Sequence, residues 1–300
     1  MFQKMISVFC LLFVGCGLNL PQAEAKKSAA GATVSIIPVA EHIFMLQGKG
    51  GNIGLFIGED GTFMIDDQFA PLTEEIMEAV RSVGGGQPRF LINSHYHPDH
   101  TGGNENLGAG NTLIFAHHNV RERLSTGYYL KEFEMKQAGL SQKGLPVITF
   151  SHDISFHLNG DTVQAVHVDH AHTDGDSFIH FFKADVIHAG DVFFNGFYPF
   201  IDVDHGGSLK GMIAAVTKIL SIADDNTKII PGHGPLADRR QLENYRRMLV
   251  TVFERLRKLK AAGVTAEEAA EEKPLADLED EWGDGRFDSE SWIEIIYPGV

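Results

Sequence analysis

The feature that most constrains this chain is the segment His95-Tyr96-His97-Pro98-Asp99-His100, which follows the apolar run Phe90-Leu91-Ile92 and precedes a glycine-containing turn. Four metal-ligand side chains within six residues cannot all point one way along a helix or a strand. The segment is therefore predicted to be a loop at the carboxyl end of a buried strand, wrapped around a metal. Imidazole and carboxylate together suit zinc or iron rather than a cation that takes only oxygen ligands. A surface histidine cluster is the alternative, but it would leave the preceding strand unexplained.

Three later segments each place one further ligand type at the end of an apolar run. One edge of a layered α/β fold would gather such strand-to-loop junctions into a single pocket. The three residues are His172, which precedes Thr173 and Gly175-Asp176, Asp191, which follows Val186 to Gly190, and His233, which stands in Pro231-Gly232-His233-Gly234.

The order of these motifs along the chain resembles that of the metallo-β-lactamase fold superfamily of metallohydrolases. The motifs are HxHxDH, then HT before an acidic Gly-Asp, then GD after a strand, then PGHG. The resemblance extends from about Val34 to about Tyr245. It implies an α/β fold of the four-layer αβ/βα sandwich type.

The resemblance also implies two metal ions per chain, expected to be zinc, with a water or hydroxide between them. A bound divalent cation lowers the pKa of its water to roughly 7 and polarises a carbonyl, so that no serine or cysteine nucleophile is needed. Carried over residue by residue, it implies that His95, His97 and His172 hold the first ion, that Asp99, His100 and His233 hold the second, and that Asp191 bridges them. The Thr173 that follows His172 favours this residue over His170.

An aspartate after an early strand usually supports the metal loop in this family, and the resemblance gives that role to Asp67. The aromatic segment directly after Asp191 is predicted to form the substrate wall, with ordinary core packing as the alternative. Its predicted pocket residues are Phe193, Phe194 and Phe197, and the catalytic candidates are Asn195 and Tyr198, as hydrogen-bond donors to a developing oxyanion, together with Asp99.

The amino-terminal residues 1–25 are predicted to be a cleaved signal peptide. They combine Lys4, a short apolar core and a cleavage pattern that ends at Ala25, which implies a periplasmic or secreted protein. A lipoprotein signal that ends at Cys16 is the alternative, and only that alternative implies a membrane anchor. If cleavage follows Ala25, both cysteines leave with the signal.

Residues 26–300 are predicted to form a single domain that ends in a long helix, Arg239 to Ala261, and a tail with two tryptophans. The net charge of −15 argues against nucleic acid or an anionic membrane surface as a partner. A small-molecule substrate is the expected partner, and association into a homo-oligomer stays open.

Residues 128–144 show no clear periodicity of apolar residues and are interpreted as an insertion over or beside the pocket. The tail is expected either to close the pocket or to pack on another subunit.

The resulting hypothesis is an exported dinuclear zinc hydrolase that opens an amide, ester or lactone carbonyl, with a β-lactam as the leading substrate. A lactonase or a thioesterase is the main rival among hydrolases. A rival of another class resembles the persulfide dioxygenases, which hold one iron by two histidines and one aspartate. A third possibility is a metal-binding protein without catalysis. Metal content separates the first two classes, because two zinc ions support hydrolysis and one redox-active iron supports oxygen chemistry.

Overall fold

The computed structural model describes residues 34–300, so the predicted signal peptide and Cys16 lie outside the described residues. The strands are β1 (Ser35–Ala40), β2 (Ile43–Gln47), β3 (Ile53–Gly58), β4 (Gly61–Ile65), β5 (Pro88–Ile92), β6 (Leu113–His117), β7 (Tyr128–Leu130), β8 (Met135–Gln137), β9 (Ile148–Phe150), β10 (Asp153–Leu158), β11 (Asp161–His167), β12 (Ser177–Phe181), β13 (Val186–Phe194), β14 (Lys228–His233) and β15 (Ala237–Asp238). The helices are α1 (Thr73–Ser82), α2 (Pro98–Thr101), α3 (Asn104–Ala109), α4 (His118–Thr126), α5 (Leu209–Leu220), α6 (Arg239–Ala261), α7 (Ala266–Glu271), α8 (Glu279–Trp282) and α9 (Ser289–Ile296).

Two mixed sheets carry most of these strands. The first has the order β1-β2-β3-β4-β5-β6-β9, and the second has the order β10-β11-β12-β13-β14-β15. In the first sheet the pairs from β4 to β9 are parallel, and in the second only β13 and β14 are parallel. Since parallel strands end at the same edge of a sheet, β5, β13 and β14 bring the predicted metal ligands to one side of the molecule.

The two sheets face each other across a shared apolar core. Phe56 of the first sheet meets Phe181 of the second edge-on, with ring centroids 5.5 Å apart. On its outer face the first sheet is covered by α1 through Ile76 and Val80, and the second sheet is covered by α5 and α6. The order is therefore helix, sheet, sheet, helix, which confirms the predicted four-layer sandwich.

The hairpin of β7 and β8 lies within the predicted insertion, and its residues Leu130 and Met135 line the cavity above the metal ligands. The tail folds back on the same chain. Trp292 is fully buried, stacks on Tyr198 at 4.4 Å and donates its indole N–H to the Pro199 carbonyl at 2.5 Å. The tail therefore packs on its own chain, and two of its residues, Arg286 and Phe287, line the cavity. Across residues 34–300, no helix has both the length and the apolar character needed to span a membrane.

Candidate metal centre

The loop after β5 turns sharply because Pro98 starts the short helix α2 directly after His97. This turn lets His95 and His97 extend from the strand end while Asp99 and His100 come from the helix. His233 ends β14, as the sequence predicts. Asp191 differs from the expectation, because it lies inside β13 rather than after it.

A bulge in β13 explains how Asp191 reaches the cluster from inside a strand. The pairing register with β14 shifts on both sides of Gly190, which has φ of +53°. A side chain at this glycine would also collide with Ser94, since its Cβ would lie 2.8 Å from Ser94 Cβ. Bulges of this kind re-aim neighbouring side chains, and here the carboxylate of Asp191 is turned toward the histidines.

The first ligand group consists of His95, His97, His172 and Asp191, all buried and with their ligand atoms within 4.8 Å of one another. His97 Nδ1 lies 2.8 Å from His172 Nε2. Asp191 Oδ2 lies 3.4 Å from His172 Nε2 and 3.7 Å from His95 Nε2. The structure thus brings together the residues predicted for the first ion, with the predicted bridging residue among them.

The second ligand group consists of Asp99, His100 and His233. Nε2 of His100 and Nε2 of His233 are 3.3 Å apart, and Asp99 Oδ2 lies 3.2 Å from His233 Nε2. Asp191 also reaches this group, with Oδ1 at 3.0 Å from His100 Nε2 and Oδ2 at 3.5 Å from His233 Nε2. Its carboxylate therefore lies between the two groups, as the prediction of a bridging residue requires.

Four of the histidines use their remaining ring nitrogen to contact the protein, which fixes the ring and leaves the other nitrogen for the cluster. These contacts are His97 Nε2 to Asp202 Oδ2 at 2.9 Å, His172 Nδ1 to the Phe200 carbonyl at 2.7 Å, His100 Nδ1 to Asp66 Oδ2 at 2.8 Å and His95 Nδ1 to Ser94 Oγ at 3.1 Å.

The polar atoms of the cluster are arranged for a cation. His97 Nδ1 and His172 Nε2 lie 2.8 Å apart, although the other nitrogen of each ring already faces an acceptor, so that two lone pairs meet here and repel. His95 Nε2 is buried and has no hydrogen-bond partner in the described chain, and Asp191 Oδ1, despite its approach to His100, makes no hydrogen bond either. A buried polar atom without a partner is costly, and a metal ion would satisfy these atoms together.

The electrostatics of the first group favour metal binding. Burial lowers the pKa of His95 well below its usual value, and burial lowers the pKa of His172 to about 4. Both rings are therefore neutral, which is the form that binds a metal. Burial alone would raise the pKa of Asp191, but the surrounding imidazoles, His100 foremost, hold that pKa well below its usual range.

In the second group, two carboxylates favour a positive charge beside them. Burial lowers the pKa of His233, but the carboxylates of Asp191 and Asp99 outweigh it and raise the pKa to about 9. The same two carboxylates overcome burial at His100 and raise its pKa well above the ordinary value. A proton on these rings neutralises the acids in the same way that a bound cation does.

Two acids that orient the ligands were not predicted from the sequence. Asp66 contacts His100 and also accepts hydrogen bonds from Ser94 N at 2.7 Å and Ser94 Oγ at 2.6 Å. The predicted Asp67 acts on the backbone of the loop, because its Oδ1 accepts from Gly103 N at 2.8 Å. The other missed acid is Asp202, which also accepts from the Tyr96 hydroxyl. Asp66 has a local signal, since it adjoins Asp67 after β4, but Asp202 has none.

Above the two groups lies a cavity of about 380 Å³ with largely aromatic walls. Its lining residues include the predicted Phe194 and Phe197, the catalytic candidate Tyr198, and also Phe133, Phe200 and Phe287.

One predicted pocket residue, Phe193, and one catalytic candidate, Asn195, lie outside the cavity lining. Phe193 is fully buried in the core against Tyr245, with ring centroids 5.1 Å apart, because neighbouring residues of a strand point to opposite faces and Phe194 takes the cavity side. Asn195 is outside the cavity lining, and its side-chain amide donates to the Pro235 carbonyl at 2.9 Å. The assignment of Phe193 to the pocket is therefore wrong, and Asn195 is turned away from an oxyanion.

The Tyr198 hydroxyl is buried and finds no hydrogen-bond partner among residues 34–300. Burial and the charges of Glu279 and Asp277 in the tail raise its pKa. Its role as an oxyanion donor stays a prediction.

Two facing sheets between helices, with this buried His/Asp cluster along one edge, are the arrangement of a metal-binding protein of the metallohydrolase type. The chain belongs to the metallo-β-lactamase superfamily, whose family model matches residues 46–233. No curated protein matches the chain.

Solved structures with the same fold agree with this assignment. The DIM-1 metallo-β-lactamase is 18% identical, with a TM-score of 0.58 over 73% of this chain and 98% of its own. A metallo-β-lactamase from Pontibacter korlensis is 15% identical, with a TM-score of 0.58 over 72% of this chain and 99% of its own. A metallo-β-lactamase with a HARLDQ motif from Cronobacter sakazakii (Enterobacter sakazakii) is 18% identical, with a TM-score of 0.62 over 77% of this chain and 96% of its own. These likenesses establish the fold.

Proposed function

We propose that this protein is an exported hydrolase with two zinc ions that opens an amide, ester or lactone carbonyl, with a β-lactam ring as the leading substrate. The observation that carries the proposal is the position of the Asp191 carboxylate, which lies within 3.0–3.7 Å of ligand nitrogens of both groups. A single carboxylate between two ligand sets is what a pair of adjacent ions requires.

Bound divalent cations at such a site supply a water of lowered pKa and polarise the carbonyl under attack. The chain's own residues provide the setting. Four of the five ligand histidines are held by contacts on their far side, and the aromatic walls shield the reacting group from bulk water. Asp99, which is 24% exposed and lines the cavity, presents its carboxylate beside the substrate.

The second ligand group favours hydrolysis over the mononuclear iron alternative. A site for one ion needs no further cluster of two histidines and an aspartate directly beside it, yet Asp99, His100 and His233 form one. The β-lactam is proposed as substrate because the structural neighbours that share this fold are metallo-β-lactamases.

The deciding experiment is elemental analysis of the purified mature protein, combined with hydrolysis of a chromogenic cephalosporin with and without a chelator. We expect about two zinc ions per chain and turnover that the chelator abolishes. Two zinc ions without turnover would keep the hydrolase and direct the search to lactones and thioesters. One iron per chain would overturn the dinuclear mechanism.

A matched pair of variants makes this test specific. His172→Ala removes a predicted ligand and is expected to lose both metal and turnover. His170→Ala changes a histidine two positions away whose Nδ1 contacts the Gly206 carbonyl at 2.9 Å and which is outside both ligand groups. It is expected to keep metal and turnover, and equal losses in both variants would contradict the assignment of His172.

Export is the remaining part of the proposal, and the sequence pattern of residues 1–25 supports it. The test is the mass of the protein recovered from the cell envelope or the medium. A chain that starts at Lys26 is expected, a lipid-modified chain that starts at Cys16 would indicate the lipoprotein alternative, and a full-length chain in the cytoplasm would contradict export.

A further inference from the structure

The cavity wall contains an arginine without an acidic partner. Arg286 belongs to the acidic tail, with Asp284 and Asp288 two residues away on either side, yet within residues 34–300 it makes no ion pair and no hydrogen bond. Its guanidinium carbon lies 4.4 Å from the ring centroid of Phe133 instead. A guanidinium stacked on an aromatic ring keeps its N–H groups free for a ligand.

The tail fixes the position of this arginine at the cavity. Phe287, the next residue, is buried and contacts the rings of Phe133 and Phe200 at 6.3 and 6.2 Å between centroids. On the other side, Gly285 packs so closely that a Cβ there would lie 2.7 Å from Phe197 Cβ. Arg286 is therefore held between two residues anchored to the pocket walls.

A second cation lines the same cavity from the other end of the chain. Lys49 is exposed, and the described residues offer it no ion pair or hydrogen bond. Its loop is bound to the metal loop, because Gly51 N donates to the Asp99 carbonyl at 3.0 Å. A Cβ at Gly51 would lie 2.0 Å from the His100 ring, so only glycine permits this approach.

These two cations stand out against the charge of the molecule. The chain carries a net charge of −15, which disfavours the approach of an anion in general. The acids that line the cavity, Asp99 and Asp191, belong to the two metal-ligand groups. Unpaired cations on the remaining, largely apolar wall therefore mark the place where an anion would be attracted.

We infer that Arg286 and Lys49 hold an anionic group of the substrate, so that the enzyme selects compounds that combine an apolar part, a carbonyl to be hydrolysed and a carboxylate or a comparable anion. The aromatic walls take the apolar part, and the two cations take the anion at the cavity wall. This inference rests on the proposed function for the carbonyl, but the recognition of the anion stands on the two cations alone.

The test is a binding measurement, so that it does not depend on turnover. Isothermal titration calorimetry of the full mature protein, both metal-free and zinc-loaded, compares phenylacetate with the neutral phenylacetamide of the same shape. Benzylphosphonate serves as a third probe that separates a carboxylate site from a phosphate-type site. We expect the wild type to bind one of the two anions about tenfold more tightly than the amide, a factor that corresponds to one charge-assisted hydrogen bond.

Variants assign that preference to the two residues. Arg286→Ala is expected to lose most of the preference, Arg286→Lys to retain part of it, and Lys49→Ala combined with Arg286→Ala to bind anion and amide equally. Arg89→Ala is the matched control, since Arg89 also stacks on an aromatic ring, Phe90 at 4.9 Å, and lies outside the cavity lining. It is expected to behave as the wild type.

The outcomes separate this inference from the proposed function. If the double variant keeps the wild-type preference for the anion, or if the wild type prefers the amide, the inference is overturned even where a carbonyl substrate is hydrolysed. If the preference depends on Arg286 and Lys49 but no carbonyl compound is turned over, the inference holds and the proposed hydrolase fails.

Discussion

The two ligand groups of this protein share Asp191 but differ in how deeply their side chains are buried. In the first group the side chains of His95, His172 and Asp191 are at most 4% exposed. In the second group Asp99 and His233 are each 24% exposed and line the substrate cavity. The first group is therefore the more deeply buried, with only His97 and Asp191 reaching the cavity lining, whereas the second is more open to solvent and substrate.

The two groups also differ in the contacts made by the ring nitrogen that faces away from the cluster, and the first group again has more of them. Each histidine of the first group has a partner for its outer nitrogen, with the Asp202 carboxylate on His97 and the Phe200 carbonyl on His172. In the second group Asp66 holds His100, but His233 Nδ1 has no hydrogen bond to any residue from 34 to 300. Because outer contacts raise ligand basicity and fix the rings, the first group is expected to bind its ion more tightly.

The largest effect is expected when the shared carboxylate is removed. Asp191→Ala deprives both groups of a ligand at once, so the difference between them should disappear and both ions should be lost. Since loss of an outer contact alone costs about 10–100-fold in metal affinity, loss of this ligand should cost more than about 100-fold at each group. Elemental analysis after dialysis measures the result.

Asp204→Ala serves as the control for Asp191→Ala, because Asp204 is exposed and outside both groups. Thermal unfolding of the metal-free variants checks that both fold. One ion per chain retained at wild-type affinity in Asp191→Ala would mean that the carboxylate serves only one group.

Asp202→Asn tests how much the outer contact to His97 contributes to the metal affinity of the first group. The substitution keeps the shape of the side chain but removes the charge that His97 Nε2 contacts at 2.9 Å. We expect the affinity for the tighter ion to fall by about 10–100-fold while the weaker ion is little changed. Competition with a chromogenic chelator, which resolves two successive binding steps, measures both affinities. A selective loss of the weaker ion would reverse the assignment of the groups.

Asp66→Asn is the corresponding change behind the second group. An asparagine tolerates the left-handed backbone at this position, where φ is +60°. The affinity for the weaker ion should fall by about 10–100-fold, with the tighter ion retained. The loss of affinity for the weaker ion should lie nearer to roughly tenfold than to 100-fold, because Asp66 contacts only His100 of the two histidines. The other histidine of this group, His233, has no outer hydrogen bond in the described chain to lose. Equal weakening of both steps would show that the two groups are not separable.

The metal ligands could be predicted from the sequence because each lies in a short motif whose spacing is set by a loop at a strand end. The residues that orient them are different. Asp202 reaches His97 across 105 positions of the chain, and no local pattern connects the two. Asp66, rather than the predicted Asp67, contacts His100, because a left-handed turn at Asp66 directs its carboxylate toward that ring, and such a turn cannot be predicted from residue type.

The substrate wall shows the same limit. The aromatic segment after Asp191 could be predicted from the sequence as a cavity wall. Which of its residues face the cavity could not, since Phe193 points into the core and Phe194 into the cavity. The bulge at Gly190 displaces the strand register just before these residues, so counting from Asp191 does not give the facing side. Phe133, Arg286 and Phe287 were missed because they come from the hairpin and the tail, which approach the pocket only through tertiary packing.

The smallest effect is expected at Phe194, which stacks on His233 with ring centroids 5.2 Å apart and planes at 19°. This contact restrains the ring of the histidine that lacks an outer hydrogen bond, and such ring pairs contribute about 0.5–1.5 kcal/mol. Phe194→Leu should therefore weaken only the second metal-binding step, by roughly three- to tenfold. Phe193→Leu is the control on the opposite face of the same strand, and it should lower the free energy of unfolding without a change in either step. If Phe194→Leu weakens the first step instead, then the ring supports His172, whose centroid is 5.9 Å away, and the open group is held by something other than this stack.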